Sequence, residues 1–153
     1  MKNRKLVCSK IATGDYDAVI IGHSQLLKIP LSHERRKQYI REDIRQIENA
    51  LQDMNERYLD DGQRYSVKQL EKTKENYEAR LEKLTDNEVD DVVTFEELGV
   101  DRIYIDEAHM FKNLYMPTKM SNVAGIQMTE AKKSSDLYYQ CKYLDEITGG
   151  KGV

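Results

Sequence analysis

The stretch Ile103-Tyr104-Ile105-Asp106-Glu107-Ala108-His109 holds the densest group of side chains able to do chemistry. A short apolar run leads into two adjacent carboxylates and, two residues later, an imidazole. Successive side chains of an extended segment point to opposite sides, so the two carboxylates can take different tasks. Asp106 suits Mg2+, a small hard ion that takes one or two carboxylates and keeps its other positions for water and phosphate oxygens. Glu107 suits the orientation and deprotonation of a water attacking a γ-phosphate. The bland alternative is a solvated acidic turn at the end of a strand. A strand end is also where open α/β sheets bind their ligands.

Other chemical signals are weaker. Cys8 and Cys141 are the only cysteines, with no Cys-x-x-Cys pair, and read as two reduced thiols rather than a disulfide or zinc framework. His33-Glu34 lacks the second histidine of a zinc-protease helix. No Gly-x-x-x-x-Gly-Lys-Ser/Thr occurs in the 153 residues. Gly149-Gly150-Lys151-Gly152 lacks both the upstream glycine spacing and the hydroxyl residue of a phosphate loop.

The elements that must position Asp106 and Glu107 are of two kinds. Asp17-Ala18-Val19-Ile20-Ile21-Gly22 and Arg102-Ile103-Tyr104-Ile105 are short, continuous, β-rich apolar runs, the pattern of strands buried on both faces in a parallel sheet. Asn3 to Ala12 predicts a short helix with Gly14 as a left-handed cap. Thr94-Phe95-Glu96-Glu97 predicts a capped helical turn that Gly99 closes. A last helix is expected from Ser134 or Ser135, burying Leu137, Cys141 and Leu144 and ending at Gly149-Gly150. Residues 115–133 carry no period and read as a loop.

Between these parts the period changes. Ile40, Ile44, Ile47, Leu51, Met54 and Tyr58 are spaced alternately four and three apart, and Val67, Leu70, Lys74, Tyr77, Leu81 and Leu84 continue the pattern with a lysine at one seam position. Such seams predict two long antiparallel helices. The first, His33 to Leu59 with Ser32 as N-cap, would run about 40 Å at 1.5 Å per residue, and Asp60-Asp61-Gly62 would break it. The basic start of this helix, Arg35 to Arg45, is interleaved with Glu42 and Asp43 and reads as a solvated face. Tyr138, Tyr139 and Tyr143 are expected to pack the last helix against the sheet.

The expected fold is therefore α/β, a partial parallel-sheet lobe in residues 1–31 and 91–153, interrupted by a helical hairpin in residues 32–90. The lobe residues accommodate at most about three βαβ units at roughly 30 residues each, too few for a complete nucleotide-binding lobe. The chain thus reads as a fragment or as a module that relies on a larger neighbour. Its 33% charged residues exceed the roughly 25% of an ordinary domain. A net charge of -3 excludes a uniformly basic nucleic-acid coat, though not a local basic groove. No apolar run approaches the ~18 residues of a membrane span and no signal core follows the start, which predicts no membrane association and a cytoplasmic location.

Asp106-Glu107-Ala108-His109 resembles the DEAH-type Walker B element of superfamily 2 helicases and translocases. Met110-Phe111-Lys112-Asn113 narrows the resemblance, because two residues followed by Lys-Asn look like the Swi/Snf-type branch. Ala12 to Ser24 is similar to the strand and DNA-facing segment that precede Walker B there. The likeness extends to helicase regions of large phage or mobile-element proteins that also carry a DNA methyltransferase, and the hairpin looks like an insertion. The resemblance implies a RecA-like lobe, Mg2+ and ATP as cofactors, and double-stranded DNA as partner. It also implies a bacterial or phage-encoded parent that supplies the remaining helicase motifs and a second lobe. Asp106 would hold Mg2+ through water and Glu107 would be the catalytic base. His109, Lys112 and Asn113 would couple the nucleotide site to the rest of the motor. His23 and Ser24 would approach the DNA backbone. Without a phosphate loop or second lobe, the 153 residues alone are expected to be inactive. The competing readings are a non-catalytic coiled-coil interaction module and, more remotely, a stand-alone metal hydrolase using Asp106, Glu107 and His109.

Overall fold

The computed structural model describes residues 4–55, 61–86, 93–114 and 131–153. Its elements are α1 (Arg4–Thr13), α2 (His23–Leu26), α3 (His33–Asn55), α4 (Asp61–Asp86) and α5 (Lys132–Thr148), with 3-10 turns at Glu96–Leu98 and Ala108–Phe111. The chain divides into two compact units. One comprises Met1–His33, Val89–Lys112 and Lys132–Val153; the other comprises Glu34–Glu88 and Asn113–Ala131.

The second unit contains α3 and α4. Ile47, Met54 and Leu70 form its buried core, and Ala50, Leu51 and Val67 pack against it. Lys74, on the seam of α4, reaches Glu48 of α3 at 2.8 Å and Glu78 one turn further along its own helix at 3.5 Å. The Glu48–Lys74 pair ties the second half of α3 to the middle of α4, and helices packed together across so short a connection, from Asn55 to Asp61, run antiparallel. The carboxylate of Glu48, hydrogen-bonded to the Lys74 ammonium, raises its pKa. A lysine on the seam is thereby satisfied: its stem covers apolar surface while its head finds acceptors at the edge. Asp61 and Gly62 lie within α4, so they do not break the helical pattern. Residues 56–60, where the first helix was expected to end, lie outside the described residues.

The first unit is built from α1, α2, α5 and the turns. Cys8, Ile29, Phe95, Leu98, Leu137 and Leu144 are buried in it. The Phe95 N–H donates to the Pro30 carbonyl at 2.7 Å, and Ser32 donates to the Glu96 carboxylate from both its N–H (3.0 Å) and its hydroxyl (2.7 Å). Gln140 of α5 donates to the Ile29 carbonyl at 2.9 Å in buried surroundings. Segments 29–32 and 94–98 and helix α5 are thus held by directional bonds. Glu97 accepts from the Thr94 N–H at 2.7 Å, and left-handed Gly99 (φ 70) ends the turn, as the capping pattern anticipated. α5 closes on left-handed Gly149 and Gly150. It begins at Lys132, two residues earlier than expected, and leaves Cys141 only half-buried. α1 ends with the Gly14 N–H on the Lys10 carbonyl (2.9 Å), and Gly14 is not left-handed.

The expected α/β class with a RecA-like parallel-sheet lobe is overturned: the fold is helical, and no strand occurs among the described residues. Asp17–Ile21 and Arg102–Ile105 are not laid into a sheet. Ile20 is fully exposed, and Tyr104 is 84% exposed. An apolar run becomes a strand only where neighbours take up its N–H and C=O groups and cover its faces. The Ile103 N–H instead meets the carbonyl of Gly152 at 2.9 Å, and the Arg102 Nε donates to the Lys151 carbonyl at 3.1 Å. Without a sheet, the tyrosines of α5 pack otherwise than expected. Tyr143 meets Phe95 edge to face at 6.1 Å, Tyr139 is buried, and Tyr138 is 42% exposed. Residues 115–130, most of the expected loop, lie outside the described residues.

Candidate functional site

Asp106, Glu107, Ala108 and His109 form one tight reversal at the end of the segment that Gly152 holds. The Glu107 N–H donates to Asp106 Oδ1 at 2.9 Å. Glu107 takes a left-handed conformation (φ 53, ψ 40), and is the one non-glycine residue with positive φ among those described. A side chain there costs about 1–3 kcal/mol and persists only where the surroundings impose it. The turn then tightens into the 3-10 segment, with the Met110 N–H on the Glu107 carbonyl at 3.0 Å.

Chain reversal at Glu107 brings its carboxylate to His109, whose Nδ1 lies 3.0 Å from Oε2. The two side chains remain 60% and 73% exposed. The pair therefore holds an acceptor oriented by an imidazole while both groups face solvent. Asp106 is exposed beside them. No group of three His, Cys, Asp or Glu that could hold a metal occurs among the described residues. The site thus presents a single exposed carboxylate next to an oriented one.

Lys112 is exposed and its N–H lies 3.4 Å from the His109 carbonyl, which continues the turn. Asn113 is half-buried; its carbonyl accepts from the Ala131 N–H at 3.0 Å, and its Oδ1 is buried without a partner. His23 begins α2 and meets Phe111 edge to face, with ring centroids 5.1 Å apart. Ser24, the next residue, is exposed. Asp106, Glu107 and His109 are therefore brought together in one turn. His23 reaches that turn only through Phe111.

Sequence reading missed three participants. Phe111 joins His23 to the acidic turn, and Lys133 of α5 places its Nζ 5.7 Å from the centre of the Phe111 ring. Gly152 supplies the carbonyl that anchors Ile103. The position of Phe111 directly after the acidic turn was a usable signal. Lys133 and Gly152 are remote in sequence and had none.

A family model described as a probable helicase domain matches residues 1–151. No curated protein and no solved structure matches the chain.

Proposed function

Because the chain belongs to the probable helicase domain family, we propose that it carries the Walker B-like hydrolytic turn of a DNA-dependent ATPase motor of the Swi/Snf type. Asp106 and Glu107 are its working carboxylates. The observation that supports this reading most directly is the Glu107–His109 contact at 3.0 Å inside a strained, exposed turn. Strain at an exposed polar turn has no packing purpose, and such outliers cluster at working sites.

The residues present fit Mg2+. Asp106 offers one exposed carboxylate whose Oδ1 is fixed by the Glu107 N–H, and this ion is ordinarily held by one or two carboxylates with the rest water and phosphate. When bound, Mg2+ neutralises charge on the transferred phosphoryl group. Asp106 would hold that ion. Glu107 accepts a proton from the attacking water, a role that needs an acceptor within hydrogen-bond reach of solvent. His109 fixes one carboxylate oxygen of Glu107 and leaves the other to the water. His23 and Ser24 approach the nucleic acid, and Phe111 passes their position to the turn. Lys112 and Asn113 hold the exit of the turn. The further helicase motifs and second lobe belong to the partner segments of such a motor.

The test is ATP hydrolysis, with and without duplex DNA, by a polypeptide that joins these 153 residues to a phosphate loop and a second motor lobe. The expected result is turnover that requires DNA and falls at least about 100-fold in Glu107→Gln, the loss typical of a removed general base. Equal turnover by the wild type and Glu107→Gln refutes the assignment. Loss in Glu107→Gln with no response to DNA refutes the motor class and keeps the hydrolytic turn.

A further inference from the structure

Glu107 is held in its left-handed conformation by its neighbours in the same turn and by nothing packed upon it. Its N–H donates to Asp106 Oδ1 at 2.9 Å, its Oε2 lies 3.0 Å from His109 Nδ1, and its carbonyl accepts from the Met110 N–H at 3.0 Å. Residues 106–110 are all exposed, and the 3-10 segment Ala108–Phe111 contains no buried residue. A side chain at positive φ ordinarily persists where packed surroundings over-determine it, and here no packing does so.

The opposing quantities are of similar size. A left-handed conformation disfavours an ordinary side chain about 5- to 30-fold. Against it stand one exposed hydrogen bond to Asp106, of modest net worth, and one exposed carboxylate–imidazole contact, worth less again. The two hands of Glu107 are therefore nearly balanced, and a small change around the turn decides between them. The turn is anchored at its two ends. Upstream, the Ile103 N–H is held on the Gly152 carbonyl at 2.9 Å. Downstream, half-buried Phe111 meets the His23 ring edge to face at 5.1 Å, and Lys133 of α5 places its Nζ 5.7 Å from the centre of the Phe111 ring. Between these points the reversal is free to change hand without disturbing a core.

We propose that residues 106–111 form a two-state turn, in which Glu107 exchanges between the left-handed conformation described here and a relaxed right-handed one, and His109 selects the first. In the left-handed state Glu107 and Asp106 keep the mutual placement that hydrolysis needs. In the relaxed state Glu107 leaves His109 and withdraws its N–H from Asp106. Whatever engages His109 or moves Phe111 then sets the fraction of molecules whose turn is assembled. The gating role rests on the hydrolytic reading; the exchange does not.

The experiment reads the backbone of the whole 153-residue chain by amide relaxation dispersion and amide chemical shifts, in the wild type, His109→Ala and Glu107→Gly. Glycine takes positive φ at no steric cost, so Glu107→Gly lowers the ratio of relaxed to left-handed molecules about fivefold or more. His109→Ala keeps the glutamate and removes its partner, which raises that ratio about two- to fivefold. The expected result is microsecond-to-millisecond exchange in the turn, with the Phe111 amide, which neither substitution adjoins, displaced in opposite directions by the two variants. Opposite displacement supports the switch even where exchange is too fast for dispersion. Displacement to the same side of the wild type, or no displacement in either variant, overturns it. Should Glu107→Gly disturb the segment, Glu107→Asn, a side chain that tolerates this conformation, takes its place with the same expected order. A rigid turn leaves the hydrolytic assignment standing, because a fixed Glu107 can still accept a proton, and absence of turnover in the joined motor leaves the exchange standing.

Discussion

Replacing Gly152 with alanine tests whether the C-terminal segment holds the acidic turn in place. A Cβ at this position would lie 2.6 Å from Leu144 Cβ, 2.7 Å from its carbonyl carbon and 2.8 Å from its oxygen. Leu144 is completely buried, and two of those atoms are backbone of α5, so the helix cannot yield. The 151–153 segment must lift instead. Lifting it releases the Ile103 N–H from the Gly152 carbonyl (2.9 Å), the Arg102 Nε from the Lys151 carbonyl (3.1 Å) and the Gly152 N–H from Asp145 Oδ1 (3.3 Å). Overpacking of one methyl costs about 1–3 kcal/mol, and two or three hydrogen bonds at about 0.5–1.5 kcal/mol each cost a similar amount. Whichever route the variant takes, local opening at Ile103 becomes easier by about 1–3 kcal/mol, which is roughly a 5- to 150-fold faster amide exchange in the equilibrium regime. Hydrogen exchange resolved at Ile103 reads this directly. Lys151→Ala, which keeps the backbone carbonyl and adds no contact, is the control and should exchange like the wild type. Unchanged protection at Ile103 in Gly152→Ala would show that Gly152 does not anchor this segment, and the argument that it positions Asp106 would fall with it.

Two further outcomes concern the hairpin. Leu70 is completely buried between the helices, so Leu70→Ala should destabilise the hairpin by about 3–5 kcal/mol, the cost of lost burial plus a residual cavity; a loss below about 1 kcal/mol in urea unfolding would contradict the packing described. The hydrogen bond from Lys74 to Glu48 raises the lysine's pKa above 10.5 in the folded chain. Its stabilisation is therefore fully present below pH 10.5 and disappears as pH rises through the higher folded value. The gap in thermal midpoint between the wild type and Glu48→Gln should accordingly hold constant at neutral pH and narrow in strongly alkaline buffer, and a gap that persists there would place the effect of Glu48 elsewhere.

What the sequence makes legible here follows from whether a signal contains its own partner. The alternating four- and three-residue spacing of Ile47, Leu51 and Met54 has its complement in Val67 and Leu70 a short distance along the chain, so the pattern specifies both the helices and their pairing. Even the seam lysine resolves once Glu48 is seen one layer across. Thr94, Glu97 and Gly99 likewise carry a complete local instruction, two hydrogen-bonding groups and a left-handed stop within six residues. Asp17–Ile21 carries only half of one. Its apolar run states a demand for burial and extended neighbours, but not where they come from, and Ile20 stands fully exposed with the demand unmet. The same distinction runs through the site. Asp106, Glu107 and His109 are legible because one left-handed residue suffices to join them. The Phe111 ring links His23 and Lys133, residues 110 apart in sequence, and no local pattern announces such a junction. α5 meets the acidic segment at two points remote in sequence, Lys133 over the Phe111 ring and Leu144 beside Gly152, and neither junction is written into a local pattern.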